Sequence, residues 1–374
     1  MTPGYALSRK NSLFGSFKLL ILVLALLCGQ AMASQKTTNE VIALIEENFW
    51  KEIKVPELFS KSLAEVYQYL TILDPYAEID QHERSAAPPA GLFGATLLVS
   101  PIGDRYALYP EPGGSMAKSG ITQPVLLDQL SGQTVGAIRY QDLLKKLRTS
   151  KTLKLSYIAP PFEDIEQATV QKMVTQDPPS SYKFDLDRGP VFQILRFSLG
   201  KTSYELREFM NQSSNDAGCV TLDLRYSQGG DMAELASIVE IFAKKKGKIG
   251  SLNFRSNQRS EILRVRKTGS SNKCQLIILI GQYTASAAEF LAYSLKSLGG
   301  AMVVGERSYG KCNSQRKFKV SNGDLITFTN SWFEPAAERC DPRGLIPDIQ
   351  MDVTFSTMTE IELNLISISL GNDN

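Results

Sequence analysis

The 374-residue chain is 43% hydrophobic and 21% charged, the profile of folded protein long enough for two or three domains. Its 41 basic and 39 acidic residues leave a formal charge of +2, too weak a field to hold a nucleic-acid backbone. A single histidine, and no cysteines at C-x-x-C spacing, argue against a metal centre, and no cofactor is expected. Residues 1–33 read as an export signal. Arg9, Lys10 and Lys18 supply positive charge, Leu19 to Leu27 is unbroken apolar sequence, and Ala31-Met32-Ala33 has the small-x-small form of a cleavage site. The apolar run to Cys28 is ten residues, short of the roughly 20 needed to span a bilayer. The expectation is therefore an extracytoplasmic or periplasmic protein with no stable membrane span after cleavage, membrane-associated only if the signal is retained. Leu27 stands where lipoprotein signals carry a small residue before the lipid-bearing cysteine.

Downstream, residues 34–85 form an expected helical cap, with Val41, Ile42, Leu44, Ile45 and Phe49 recurring near a 3.6 period in a helical reading of 38–72. Leu73-Asp74-Pro75 ends that pattern, because proline disfavours the helical conformation of the residue before it. Ser85 to Ala90, with Pro88 and Pro89, reads as a linker. Residues 86–160 read as a small β module, with strands at 95–99, 106–109, 125–127 and 153–157 and a helix at 140–148. Residues 161–354 change to strand, turn, helix: a strand at 219–225, the turn Gly229-Gly230 and a helix at 232–242, then a strand at 275–280 and a helix at 285–298 closed by Gly299-Gly300. That alternation predicts a parallel sheet with crossover helices, and sites in such sheets gather at the carboxyl ends of the strands. Residues 355–374 are left as a tail. Lys244 to Lys248 follow a helical run and read as charges complementing its C-terminus.

Two of the strand-to-helix turns could carry chemistry. Ser286 stands at a helix start, where backbone N–H groups and the helix dipole favour a developing alkoxide, although serine is equally a favoured helix cap. Gly229-Gly230 is a turn free of side chains, suited to donating N–H groups to an oxyanion and equally suited to being only a turn. A serine nucleophile needs a base, and the one histidine, His82, lies in the linker after the helical cap, which excludes a Ser-His-Asp triad. A lysine can replace histidine if it is held neutral, and Lys311 in Gly305-Glu-Arg-Ser-Tyr-Gly-Lys311 is the candidate.

Three blocks in order resemble the carboxyl-terminal processing, or tail-specific, proteases. Leu222-Asp-Leu-Arg-Tyr-Ser-Gln-Gly-Gly230 is similar to the family's Leu-Asp-Leu-Arg-Asn-x-x-Gly-Gly, and Thr284-Ala-Ser-Ala-Ala-Glu289 to its nucleophile motif. Val304-Gly-Glu-Arg-Ser-Tyr-Gly-Lys-Cys-Asn-Ser-Gln315 is similar to its base-bearing block. The 25 positions from Ser286 to Lys311 and the four from Lys311 to Gln315 also agree. Leu73-Asp-Pro-Tyr76 and Gly344-Leu-Ile-Pro-Asp348 resemble two further family motifs. The resemblance implies an α/β catalytic domain of Clp-protease/crotonase-like fold with a parallel sheet and crossover helices, an inserted PDZ-like β module and a small N-terminal helical cap. It implies Ser286 as nucleophile, Lys311 as base and Gln315 as the residue orienting the lysine. Gly229, Gly230 and Ala287 would form the oxyanion hole, and Gly91, Leu92, Phe93 and Gly94 would hold a peptide carboxylate. The substrates implied are exported polypeptides with accessible C-terminal tails. Cys312 stands where the family has glycine, Tyr226-Ser-Gln replaces Asn-x-Pro, and Thr122-Gln-Pro departs from the usual PDZ sequence. A peptide-binding pseudo-protease and a crotonase-like acyl-transfer enzyme are the alternatives. The intact Ser286, Lys311 and Gln315 argue against the first, and the want of a basic nucleotide-adapted loop argues against the second.

Removal of the signal leaves Cys219, Cys274, Cys312 and Cys340, suited to an oxidising compartment. Of three pairings, 219 with 274 and 312 with 340 is favoured, because the first two begin strands expected to be neighbours and the others flank the last β segment.

Overall fold

The structure is a computed structural model. It describes residues 34–361 apart from 54–56, 75, 81–92, 101–104, 139, 161, 163, 174–179, 187–188, 213–219, 256–257, 270–275 and 358. The export signal, His82, Gly91, Leu92, Cys219, Cys274 and most of the 355–374 tail therefore lie outside the described residues.

In chain order the elements are helices α1 (34–48) and α2 (Leu63–Leu73), then strands β1 (Glu78–Asp80), β2 (Ala95–Val99) and β3 (Tyr106–Pro110). A short helix α3 (Ser115–Lys118), strands β4 (Val125–Leu130) and β5 (Gln133–Thr134), helix α4 (Tyr140–Thr149) and strands β6 (Thr152–Ile158) and β7 (Ile165–Gln171) follow. Next come β8 (Ser181–Leu186), β9 (Gly189–Ile194), α5 (Thr202–Gln212), β10 (Thr221–Asp223), α6 (Met232–Phe242), β11 (Gly247–Phe254) and β12 (Ser260–Val265). The chain ends with β13 (Ile277–Ile280), α7 (Ala287–Leu298), β14 (Met302–Gly305), β15 (Asn313–Lys319), β16 (Leu325–Pro335) and β17 (Ile349–Gln350).

The chain divides into two compact units, the smaller made of residues up to Ala86 with Arg255–Asn257 and Gln315–Asn330. Its core gathers Val41, Ile42, Ile45 and Phe49 of the first helical stretch, Val66 and Leu70 of α2, and Ile326 and Phe328 of β16. The single helical run read over 38–72 is two helices here. Ser62 starts the second: its N–H donates to Glu65 Oε2 at 2.8 Å, one half of a capping box that a reading by period alone passes over. Within this unit β1 pairs antiparallel with β16, Ile79 opposite Ile326.

The larger unit holds three β assemblies. In the first, β2, β3, β4, β6 and β7 form an antiparallel sheet with β5 at its side, packed on Leu143, Leu144 and Leu147 of α4. Alternation along β6, with Leu153, Leu155 and Tyr157 buried and Thr152 and Lys154 exposed, is that of a sheet with one wet face. This sheet runs on to Gln171 in a β6–β7 hairpin, past residue 160 where the sequence suggested a boundary. In the second assembly, β11 pairs with β12 and with the Ser331–Pro335 end of β16.

The third assembly positions the site. Its order is β17-β14-β13-β10-β9-β8, parallel except for β8, with α5, α6 and α7 each following a central strand. Phe192, Leu222, Ile278 and Val303 lie side by side across four strands and are wholly buried, as the middle of a sheet covered by helices requires. All four join one core with the inward faces of α6 and α7. The expected parallel sheet with crossover helices is thus observed.

Candidate active site

Three adjacent parallel strands, β10, β13 and β14, end in turns at the same edge of the sheet. Hydrogen bonds stitch these turns together. The Thr284 hydroxyl donates to Leu224 O at 2.8 Å, Ala285 N–H donates to Ser227 O at 2.9 Å, and Tyr309 N–H donates to Thr284 O at 2.9 Å. Thr284 thereby bridges the turns after β10 and β14 from its own turn after β13.

Ser286 is the N-cap of α7, with φ 56° and ψ −125°. Such a backbone costs a non-glycine residue about 1–3 kcal/mol and persists only where the surroundings over-determine it. The over-determining group is Glu289, which is 1% exposed. Its Oε2 accepts from Ser286 N–H at 2.8 Å and from Lys311 N–H at 2.8 Å, so the two amide nitrogens lie within twice that distance of each other. Its Oε1 accepts from Gly310 N–H at 2.7 Å and from the Ser308 hydroxyl. Burial pushes the Glu289 carboxyl above its ordinary range, while these four donors pull the other way. The sequence held a signal for this role in the spacing Ser286-x-x-Glu289, that of a capping box.

Gly229 has φ +89°, and a Cβ built on it would lie 2.7 Å from Ala287 N and 3.0 Å from Ser286 Cβ. Only a residue without a side chain fits there, and the close approach sets the Gly229 backbone against the Ser286–Ala287 peptide. Gly230 is in a parallel bridge with Phe197, in which Phe197 N–H donates to Gly229 O at 3.0 Å and Asp231 N–H to Phe197 O at 2.9 Å. Phe197 is bonded by the two neighbours of Gly230, so the Gly230 amide itself is directed to the other side. Asp231 then caps α6, accepting from Ala233 and Glu234 N–H at 2.8 and 2.9 Å.

The backbones of Gly229, Ser286, Ala287 and Lys311 are thus drawn together. Gln315 belongs to the smaller unit, where its Nε2 donates to Thr329 Oγ1 at 3.1 Å. Thr329 in turn donates its hydroxyl to Asp74 Oδ1 at 3.1 Å and its N–H to Oδ2 at 2.6 Å. Thr329 gives its hydroxyl proton to Asp74 and accepts from Gln315, which fixes which end of the amide faces Thr329. Asp74 belongs to the Leu-Asp-Pro motif.

Of the expected carboxylate loop, Phe93 and Gly94 are described: their carbonyls accept from Met116 N–H at 3.0 Å and Glu111 N–H at 2.8 Å. The neighbouring edge strand β2 receives a hydrogen bond at Leu97 O from Gln228 Nε2, at 2.7 Å, from the residue just before Gly229. Other motif residues build scaffold. Buried Arg225 forms paired bonds to Asp223 at 2.9 Å and donates to Val353 O at 2.7 Å, Glu306 accepts from Val353 and Thr354 N–H at 3.0 and 2.7 Å, and Asp348 accepts from Val303 N–H at 3.0 Å. Cys312 and Cys340 are joined as a disulfide, with Cα atoms 5.8 Å apart. Among the described residues no His/Cys/Asp/Glu group could hold a metal ion, and no helix is long and apolar enough to cross a membrane.

Residues 191–351 match the family model described as peptidase family S41. A probable CtpA-like serine protease of Staphylococcus saprophyticus is 22% identical over 348 residues, covering 90% of this chain and 70% of the relative. One of the same description from Staphylococcus aureus is 19% identical over 350 residues, covering 91% and 69%. Among solved structures, a photosystem II D1 C-terminal processing protease superposes with a TM-score of 0.66 at 18% identity, covering 85% of this chain and 93% of that one. Shared fold, family model and relatives point the same way: residues 191–351 are similar to peptidase family S41, and the chain over most of its length is similar to the CtpA-like serine proteases.

Proposed function

We propose that this peptidase cuts exported polypeptides near their C-termini through a Ser286/Lys311 dyad. The observation that carries the reading is the shared Glu289 oxygen, which accepts the N–H of both Ser286 and Lys311 while Gly229 closes on the Ser286–Ala287 peptide. Ser286 Oγ attacks the scissile carbonyl as neutral Lys311 takes its proton, and the same proton then passes to the leaving amine. Water hydrolyses the acyl-enzyme by the same route in reverse. Ala287 N–H and the Gly229-Gly230 turn stabilise the oxyanion, each donor contributing on the order of 3 kcal/mol. Gln315 orients the lysine, a role assigned by its place four residues on in the family pattern. Because the base acts in its neutral form, activity rises with pH.

In the same reading residues 1–33 direct export, the catalytic domain is of the Clp-protease/crotonase-like kind, and the 86–160 module is PDZ-like. A substrate's terminal carboxylate is held at Gly91–Gly94, its chain adding to the edge of the sheet as a strand. Incubating an unfolded exported protein with wild type and with Ser286→Ala, then identifying new termini by mass spectrometry, tests this. Cuts clustered toward C-termini and absent with Ser286→Ala are expected; cuts surviving in the variant overturn the assignment.

A further inference from the structure

The stretch Ser308 to Cys312, which carries Lys311, is held from two sides. On one side stands Glu289 of α7, bonded to the N–H groups of Gly310 at 2.7 Å and Lys311 at 2.8 Å. On the other stands the turn Cys340 to Leu345, which touches the stretch backbone to backbone. Ser308 N–H donates to Leu345 O at 3.1 Å, and Leu345 N–H donates to the Ser308 hydroxyl at 2.7 Å. A Cβ built on Gly310 would lie 2.2 Å from Pro342 O, so the two strands of backbone are in direct contact there. The disulfide is the covalent part of this second hold. It begins at the residue next to Lys311, both cysteines are buried in the main core at 2% and 1% exposure, and Cys312 O accepts from Phe333 N–H at 2.8 Å. The cysteines are 28 positions apart in sequence and enclose the β15–β16 hairpin, whose distal part, Gln315–Asn330, belongs to the smaller unit. The disulfide closes the root of that excursion inside the larger unit. Where the related proteases have glycine after the base lysine, this chain has half of a cross-link.

We propose that the Cys312–Cys340 disulfide is a positioning clamp for Lys311, so that turnover depends on its being oxidised. The inference rests on Lys311 being the base. Reduction by a dithiol takes two electrons: the S–S bond breaks, each sulfur leaves as a thiol, and the dithiol closes into its own disulfide. That frees the Cys312 end of the stretch while the Glu289 bonds remain. A base displaced by even about 1 Å loses on the order of a hundredfold in rate, whereas substrate binding elsewhere is untouched, so the loss falls on kcat and not on KM.

The test uses the full mature chain in three forms: wild type, wild type treated with dithiothreitol with thiols counted by mass spectrometry, and the double variant Cys312→Ser/Cys340→Ser. Each is assayed for kcat, KM and the pH profile of kcat, with helical circular dichroism as the check on folding; Lys311→Ala is assayed beside them. The charged groups on the packed elements, Glu289, Arg307, Asp341 and Arg343, are unaltered in the cysteine forms. The expected result is kcat lower by about tenfold or more, KM within about twofold, and the rising limb of the pH profile moved to higher pH as the loosened lysine meets more water. Unchanged kcat and pH profile in the reduced protein overturn the proposal, and so does a loss of activity that only follows loss of helical signal. If the double variant does not fold, the reduced wild type decides between the same outcomes. Activity retained by Lys311→Ala removes the base assignment itself, a failure distinct from that of the clamp.

Discussion

Glu289 connects the Ser286 turn to the Lys311 turn through one carboxylate, and the consequences of changing it follow from hydrogen-bond inventory. All four of its partners donate. Glu289→Gln keeps the shape but turns one acceptor oxygen into a donor that faces donors, and a buried group left unsatisfied costs about 1–3 kcal/mol. We expect a lower Tm and at least about a tenfold lower kcat, since the Ser286 and Lys311 backbones lose their common anchor. The pH dependence has a definite sign. The folded carboxyl titrates above the ordinary 4.5, so the folded chain takes up this proton before the unfolded chain does. Its contribution to stability therefore grows as pH falls from that raised value to about 4.5, and this part of the profile should vanish in Glu289→Gln, as thermal melts across pH would report. Ser286→Ala and Lys311→Ala should each abolish cleavage with melting temperature nearly unchanged. Lys311→Arg should fail as well, because a guanidinium does not act as a base.

Among the elements, the turn after β10 is the most demanding. Gly229→Ala forces a side chain onto φ +89° and into Ala287 N at 2.7 Å. A loss of about 1–3 kcal/mol in stability together with a large fall in kcat is expected, and chemical denaturation alongside kinetics separates the two. The sheet that carries this turn was legible in the sequence because a strand-like run at 219–225 and the apolar run Ile277 to Ile280 are each followed by a turn and a helix. The approach of Gly229 to Ser286 and Ala287 was legible because their two motifs fall at the ends of two adjacent strands. Glu289 was legible only in part: the Ser286-x-x-Glu289 spacing signals its bond to Ser286, but its partners Ser308, Gly310 and Lys311 lie 19 to 22 residues away and only the fold brings them to it. The antiparallel strands β11, β12, β15 and β16 were not foreseen. β12 alternates weakly, with Glu261 and Ile262 both exposed, and β15 is polar apart from Phe318, so neither carries the period of a buried strand. The break between α1 and α2 was hidden for another reason: the apolar period continues on either side of it, and the capping residues Ser62 and Glu65 mark the restart instead.

At the scale of the larger unit, the β module and the parallel sheet are joined by buried polar contacts. Tyr109 of β3 donates its hydroxyl to Gln193 Oε1 at 2.7 Å, Gln193 Nε2 donates to Asp223 Oδ2 at 2.8 Å, and Tyr109 stacks on Tyr226 with ring centroids 4.3 Å apart. A module attached this way is firmly seated, and its contribution to specificity can be read by chemistry on the substrate. If the carboxylate of the tail is recognised, amidating a substrate's C-terminus should raise KM; unchanged kinetics would assign the module a structural role. The disulfide adds stability as well as position, since closing a loop of this length is worth about 3–4 kcal/mol in the chain-entropy account. The most direct measurement for the whole account is mass spectrometry of the new termini formed from an unfolded exported protein by wild type, Ser286→Ala and Lys311→Ala. The account predicts cuts near the C-terminus with wild type and none with either variant; the same cuts appearing with Ser286→Ala would contradict it.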